Sequence, residues 1–347
     1  MKHLIAFIFM FSLLPFGLRA ERKEQVIYDR MEYIYNLKSL IDESIWKNFA
    51  DKVYDVPLVY YTDSACYVTN PTSKFRNLYN PHPVFVNKGL KIYKTSLLDS
   101  VPFHMSTSIT LGDSSSEYNY RVPFMNAASF EITRNTIPDV NCTEQWITMI
   151  IHEYFHGFQY KHPTYLNYYE QHVVGIPEDS LKRIYKSNKW FRESINKEND
   201  LLLSAINSTN AEKTKELITA FFHEREQRRL LTKQRLHFEI KTTEQAYETM
   251  EGTARSVEYN LYGKFAVMSP DYKLAESDSS YHAYRYFKNY KIENDPWLYL
   301  TSKTTYFYAT GFNMARLLDK LKIEYKSRLF NESGLSLEEV LKERSLK

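Results

Sequence analysis

Residues 144–159 read Glu-Gln-Trp-Ile-Thr-Met-Ile-Ile-His-Glu-Tyr-Phe-His-Gly-Phe-Gln. The run has no proline, and its only glycine follows the second histidine. Trp146, Ile147, Ile150, Ile151, Tyr154, Phe155 and Phe158 make it apolar nearly all round, which predicts a buried helix. Asn141 with Glu144 three residues on predicts a capping box at its N-terminus. On such a helix His152 and His156, four residues apart, share one face. Together with Glu153 they form an HExxH pentapeptide, in which two imidazoles can hold one zinc ion and the glutamate can take a proton from metal-activated water. The plainer alternative is a pair of core histidines hydrogen-bonded to neighbours. Burying three ionisable groups side by side is costly, however, unless something pairs them.

A catalytic zinc site needs a third protein ligand and an open position. One candidate is Glu251, in Tyr247-Glu-Thr-Met-Glu-Gly-Thr-Ala-Arg-Ser-Val-Glu-Tyr259, a segment predicted to be helical. Gly252 and Ala254 are small and would let this helix approach the HExxH helix closely. Glu248 and Glu258 fall on roughly the same face, where either could bond the far nitrogen of a ligating histidine. The same stripe of Glu248, Glu251, Arg255 and Glu258 also reads as a solvated helix face. The other candidate is His162, but Gln159 stands where a glycine would be needed for a sharp exit from the helix, and Lys161-His162-Pro163 reads as an exposed turn.

Outward from these segments the texture divides in two. A helix is predicted over 26–50 from the spacing of Ile27, Met31, Ile34, Leu37 and Ile41. From Val53 to Ile137 short β-branched and aromatic runs alternate with turn residues, as in 56–61, 84–86, 91–94 and 129–133, which predicts strands. After Asn141 helices are predicted over 143–160, 178–195, 198–231, 243–261 and 309–328, with a last one behind the Ser336–Glu339 capping box. Strands first and helices after is the α+β class. The expectation is one domain over 21–347, with a strand-rich lobe at 21–140 and a helical lobe at 141–347.

The first twenty residues have a basic start, an apolar middle and a small final residue, Ala20, the layout of a secretory signal peptide. A secreted or periplasmic protein is expected, with no membrane attachment after its removal. The net charge of +3 is spread along the chain, which argues against nucleic acid as a partner. Arg225, Arg228 and Arg229 read as solvated surface, or as a clamp for a substrate carboxylate. Only two cysteines occur, and in an oxidising compartment Cys66 and Cys142 are expected to pair.

HExxH at 152–156, Glu-Gly-x-Ala-Arg-x-x-Glu at 251–258 and Tyr-x-x-Gly at 308–311 resemble the gluzincin zinc peptidases, and most closely their aminopeptidase branch. The resemblance implies a zincin-like catalytic domain holding one Zn2+, with His152, His156 and Glu251 as ligands. It implies Glu153 as general base and Tyr308 as hydrogen-bond donor to the oxyanion, with Tyr306 and His282 as alternative donors. By the same analogy, a strand within Phe124–Ile132 would pair with an extended peptide or protein substrate. The 94 residues between His156 and Glu251 exceed the family's gap and imply a helical insertion folded away from the site. No Gly-x-Met-Glu-Asn segment is present to hold a free amino terminus, so peptide hydrolysis is implied but aminopeptidase specificity is not. Two other functions share the motif: a zinc hydrolase acting on non-peptide substrates, and a zincin-fold binding protein without turnover.

Overall fold

The computed structural model describes residues 23–174 and 178–343, with backbone alone at 2–22 and 344–345. The signal peptide expected at 1–20 therefore lies outside the described residues. The chain begins with α1 (Lys2–Ser44), β1 (Leu58–Tyr61), β2 (Cys66–Thr69), α2 (Ser73–Tyr79), β3 (His82–Asn87), β4 (Leu90–Thr95), β5 (Met105–Ser108) and β6 (Phe124–Ala128). Then come α3 (Phe130–Thr136), α4 (Thr143–Tyr160), α5 (Pro163–His172), α6 (Glu178–Ser187), α7 (Lys189–Asn207), α8 (Ala211–Leu236) and α9 (Lys241–Phe265). The chain closes with α10 (Tyr272–Ser277), α11 (Pro296–Tyr299), α12 (Tyr306–Lys320) and α13 (Leu337–Ser345). The class is α+β, as the order of textures predicts. Among the described residues no helix is long and apolar enough to cross a membrane.

Six strands form one mixed sheet in the order β3-β4-β2-β1-β6-β5. β1 and β6 run parallel, and the other neighbours are antiparallel. Alternation along a strand sends successive side chains to opposite faces. Leu58 and Tyr60 accordingly join the main core, whereas Val59 and Tyr61 join a smaller cluster with Cys66, Val68, Phe75 and Phe124. Helix α4 lies on the main-core face, where Trp146 Nε1 donates to Ala128 O at 3.0 Å. The helix is buried along nearly its whole length, as its apolar surround predicts.

Several details depart from the expectations. Residues 129–133 do not form a strand: the Ser129 hydroxyl accepts from Ile132 N at 3.3 Å and caps α3, so local capping overrides the β-branched composition. The Asn141–Glu144 capping box does not form either. Cys142 is the cap residue, and Glu144 instead accepts the backbone N–H groups of His282 and Tyr284. Cys66 and Cys142 are both buried and free, one in the smaller cluster and the other at the start of α4. The predicted helix at 178–195 breaks at Asn188, which is extended between α6 and α7.

Gly252 does not face the HExxH helix. It meets Gly311 of α12 so closely that an added Cβ would stand 2.2 Å from the Gly311 carbonyl carbon. Reciprocally, a Cβ on Gly311 would stand 2.1 Å from Glu248 O. Backbone thus touches backbone between α9 and α12, which fixes Glu251 and Tyr308 on two helices locked in one register.

The inserted helices are tied to this pair rather than folded away from it. Arg225, Arg228 and Arg229 of α8, read as solvated from the sequence, are 0%, 1% and 4% exposed. They pair with Glu198 of α7, Glu244 and Glu248 of α9 and Glu338 of α13. Charges taken this far from water persist only when matched by partners of opposite sign.

Candidate metal centre

One turn of helix separates His152 from His156 on α4, and their rings stand 5.0 Å apart at 84°. His152, Glu153 and His156 bring one donor atom each within 4.8 Å of one another. From α9, Glu251 Oε2 lies 3.3 Å from Nε2 of His152 and 3.3 Å from Nε2 of His156. Donors bonded at about 2.0–2.1 Å to a tetrahedral zinc ion stand about 3.3 Å apart, so the observed separations fit such an ion.

The far nitrogens explain why these three atoms face one point. His156 Nδ1 lies 3.0 Å from Gln159 Oε1. The Gln159 amide is oriented by its own nitrogen, which donates to Met250 O and Thr253 Oγ1, both at 2.9 Å. An amide oxygen only accepts, so His156 carries its proton on Nδ1 and leaves a lone pair on Nε2. His152 Nδ1 faces Glu258 Oε2 at 3.4 Å, and Glu258 is steadied by the Tyr262 hydroxyl at 3.0 Å. A proton on Nδ1 again leaves Nε2 as an acceptor. In these tautomers Nε2 of both rings and Glu251 Oε2 are three acceptors facing one point, which a metal ion there, or a proton on His152 Nε2, brings together.

The electrostatics agree. Burial opposes protonation of His152, but hydrogen bonds to Glu251 and Glu258 outweigh it and push the pKa up to about 10. His156 is raised too, against burial, by Glu251. For Glu251 burial acts upward, yet the two imidazoles hold its carboxyl well below the usual range. The carboxylates therefore draw positive charge to this point, and the donor set of two imidazoles and one carboxylate is one that zinc accepts.

Glu153 lies beside this trio, with a carboxylate oxygen within 4.8 Å of a ring nitrogen of each histidine. Its Oε2 accepts the Thr107 backbone N–H at 3.3 Å, and the Thr107 hydroxyl donates to the Glu153 backbone carbonyl. Burial raises its pKa, opposed by the two histidines. Thr107 belongs to β5, which pairs with β6 alone and forms the sheet edge beside the site. The segment Phe124–Ile132, expected to hold a strand that pairs with substrate, contains β6, which is interior to the sheet, and the start of α3. Met-Ser-Thr-Ser has too little β-branched or aromatic character to signal a strand, so β5 was not legible.

Tyr308 stacks parallel to the His152 ring at 6.2 Å and 8°. Burial and the Glu251 carboxylate raise its pKa, so it is a neutral phenol able to donate. The two alternative donors lie elsewhere. Tyr306 is buried with its hydroxyl on Glu244, at 2.7 Å. His282 gives its backbone N–H to Glu144, about two turns of α4 away from His152.

His162 is not an exposed turn residue and does not join the site. It is buried, its ring lies 4.4 Å from that of Tyr54, and its Nδ1 bonds Phe158 O at 2.8 Å. Of the two carboxylates expected behind a histidine, Glu258 takes that place, whereas Glu248 belongs to the arginine cluster. Gln159, met in the sequence only as a missing glycine, is the partner of His156. Replacing Glu258 by Gln or Gln159 by Leu is expected to weaken zinc binding by about 10- to 100-fold, read by competition with a chromogenic chelator. Unchanged affinity in both variants would mean that other contacts set the tautomers.

A cleft of about 510 Å³ opens onto His152, Glu153 and Tyr308. Comparison with protein-family models, curated proteins and solved structures finds no match to this chain.

Proposed function

We propose that this chain is a zinc-dependent peptidase of the gluzincin kind, with a zincin-like catalytic domain that acts on extended peptides. The observation that carries the reading is the convergence of His152 Nε2, His156 Nε2 and Glu251 Oε2 on one point, with Glu153 and an open cleft beside it. A zinc ion held there lowers the pKa of a bound water and polarises the substrate carbonyl.

The remaining work falls to side chains. Glu153, half-buried and with a raised pKa, takes the proton from the attacking water and later hands it to the leaving amine. The Thr107 N–H holds the Glu153 carboxylate in place for both transfers. Tyr308 donates its phenol proton in a hydrogen bond to the developing oxyanion; one such donor is typically worth about 100- to 1000-fold in rate. The edge of β5, apart from the Thr107 N–H held by Glu153, supplies main-chain groups that an extended peptide can pair with. A peptide bond is the substrate class that uses all four features at once.

Purified protein is expected to contain one zinc per chain and to cleave an unfolded protein or peptide mixture. A chelator should abolish cleavage and added Zn2+ should restore it. Protein that holds one zinc yet cleaves no peptide overturns the peptidase reading in favour of a non-peptide zinc hydrolase or a binding protein. The proposal includes export by the 1–20 segment, which N-terminal sequencing of secreted protein tests.

A further inference from the structure

Arg255 lies one turn beyond Glu251 on α9 and lines the same cleft. Its guanidinium is wedged between two rings, 4.6 Å from the Tyr308 centroid and 5.1 Å from that of Trp297. Nη1 is occupied, donating to Trp297 O at 2.8 Å and to Leu298 O at 2.9 Å. Among the described residues Nε and Nη2 have no acceptor and no carboxylate stands within ion-pair distance, although the charges of Glu258 and Glu251 bear on the group. Neither nitrogen is fully sealed from solvent, although the side chain is largely desolvated. The plane of the guanidinium is thereby set by rings and carbonyls, while one fork edge is left for a ligand.

The other charges of the cleft are committed or peripheral: Glu153 accepts from the Thr107 N–H. Glu258 is bonded to His152 and Tyr262. Asp295 accepts from Trp297 Nε1 at 3.4 Å. Asp139 is exposed at the rim. Lys303, also exposed and without a partner, stands on the same wall as Arg255. Met105, Ile137, Val140 and Met149 give the same cleft an apolar surface.

We infer that the cleft selects peptides that present a carboxylate next to an apolar side chain, with Arg255 anchoring the carboxylate and Lys303 meeting it from outside. A guanidinium edge matches a carboxylate bidentately, and the match is stronger in a partly desolvated slot than in water. The carboxylate is either the substrate's own C-terminus or an acidic side chain; the chemistry of recognition is the same. This rests on the peptidase reading for its substrate class but not for its binding chemistry.

The test uses zinc-loaded Glu153→Gln protein, in which binding is read without turnover. Calorimetry compares acetyl-Gly-Leu-Glu-amide with its Gln counterpart, and acetyl-Gly-Leu as free acid with its amide. At least one acid is expected to bind about 10- to 100-fold tighter than its neutral twin, and which one does so identifies the source of the carboxylate. Adding Arg255→Met should bring the favoured pair to parity, and Lys303→Met should narrow the gap. Equal binding within both pairs overturns the inference, as does a preference that survives Arg255→Met. Acid preference without peptide cleavage by the unmodified protein would sink the peptidase reading and leave the carboxylate site standing. Cleavage without acid preference would do the reverse.

Discussion

Glu153→Gln is expected to remove turnover while zinc stays bound. The two functions separate because the atoms that converge on the cation site are His152 Nε2, His156 Nε2 and Glu251 Oε2. The Glu153 carboxylate is instead held toward β5 by the Thr107 N–H. Glutamine has the same length, and its amide oxygen can still accept from Thr107, so the wall of the cleft keeps its shape. What disappears is a group able to take a proton. Loss of a positioned general base lowers rates by typically 100- to 10,000-fold, and here the same carboxylate also returns the proton to the leaving amine, so the upper end is expected. The measurement is peptide cleavage together with metal content on the same preparation. Zinc loss in the variant would make Glu153 a ligand, consistent with its closeness to both histidines, and would require another base.

The parts of this site that could be read from sequence are those that depend on local periodicity. A four-residue step on an apolar helix places His152 and His156 on one face whatever surrounds them. Glu251 was legible only as one option, because its stripe also fits a solvated helix. What decides it is Gly252 seated on Gly311, a contact between α9 and α12 that local pattern cannot show. Gln159 shows the opposite: the local pattern marks it only as the place of a missing glycine, whereas its side chain is what orients His156. Thr107 owes its place to strand order and has no local signal; Arg255 is legible as the residue one turn beyond Glu251, but the Trp297 ring and the 297–298 carbonyls that hold it come from elsewhere in the chain. The α+β class was legible from the order of textures, but capping moved its boundaries, as Ser129 shows by starting a helix where a strand was expected.

Arg225→Met is expected to cost about 3–5 kcal/mol of stability, the usual range when one partner of a buried ion pair is removed. The side chain is 0% exposed and bonds carboxylates from three helices: Glu198 at 2.9 Å, Glu248 at 2.7 and 2.8 Å and Glu338 at 2.8 Å. Methionine fills the volume but leaves these carboxylates with less positive charge than they need. Denaturant midpoints report the loss, and a shift equal to that of a surface Arg→Met change would show that the cluster is hydrated. The cluster holds four glutamates against three arginines, an excess of negative charge that favours protonation of one carboxyl. Burial, with Glu244 and Glu338 close by, raises Glu248 to about 7 despite Arg225. Glu338 goes the other way: burial acts upward, but Arg229 and Arg225 lower it to about 2. A carboxyl depressed on folding stabilises above its unfolded pKa of about 4.3 and loses that contribution as pH falls through the folded value. Glu338 should therefore support stability fully above about pH 4.5 and lose its share between there and pH 2. The raised Glu248 acts in the opposite sense, favouring the fold most when protonated and losing that share as pH rises toward 7. Glu248→Gln, which replaces a carboxyl already neutral below pH 7, should accordingly cost less at pH 6 than Glu338→Gln. Because Glu248 also receives the Thr310 hydroxyl at 2.6 Å, one turn before Glu251 and two residues from Tyr308, disorder in this cluster reaches the cation site through both helices that form it.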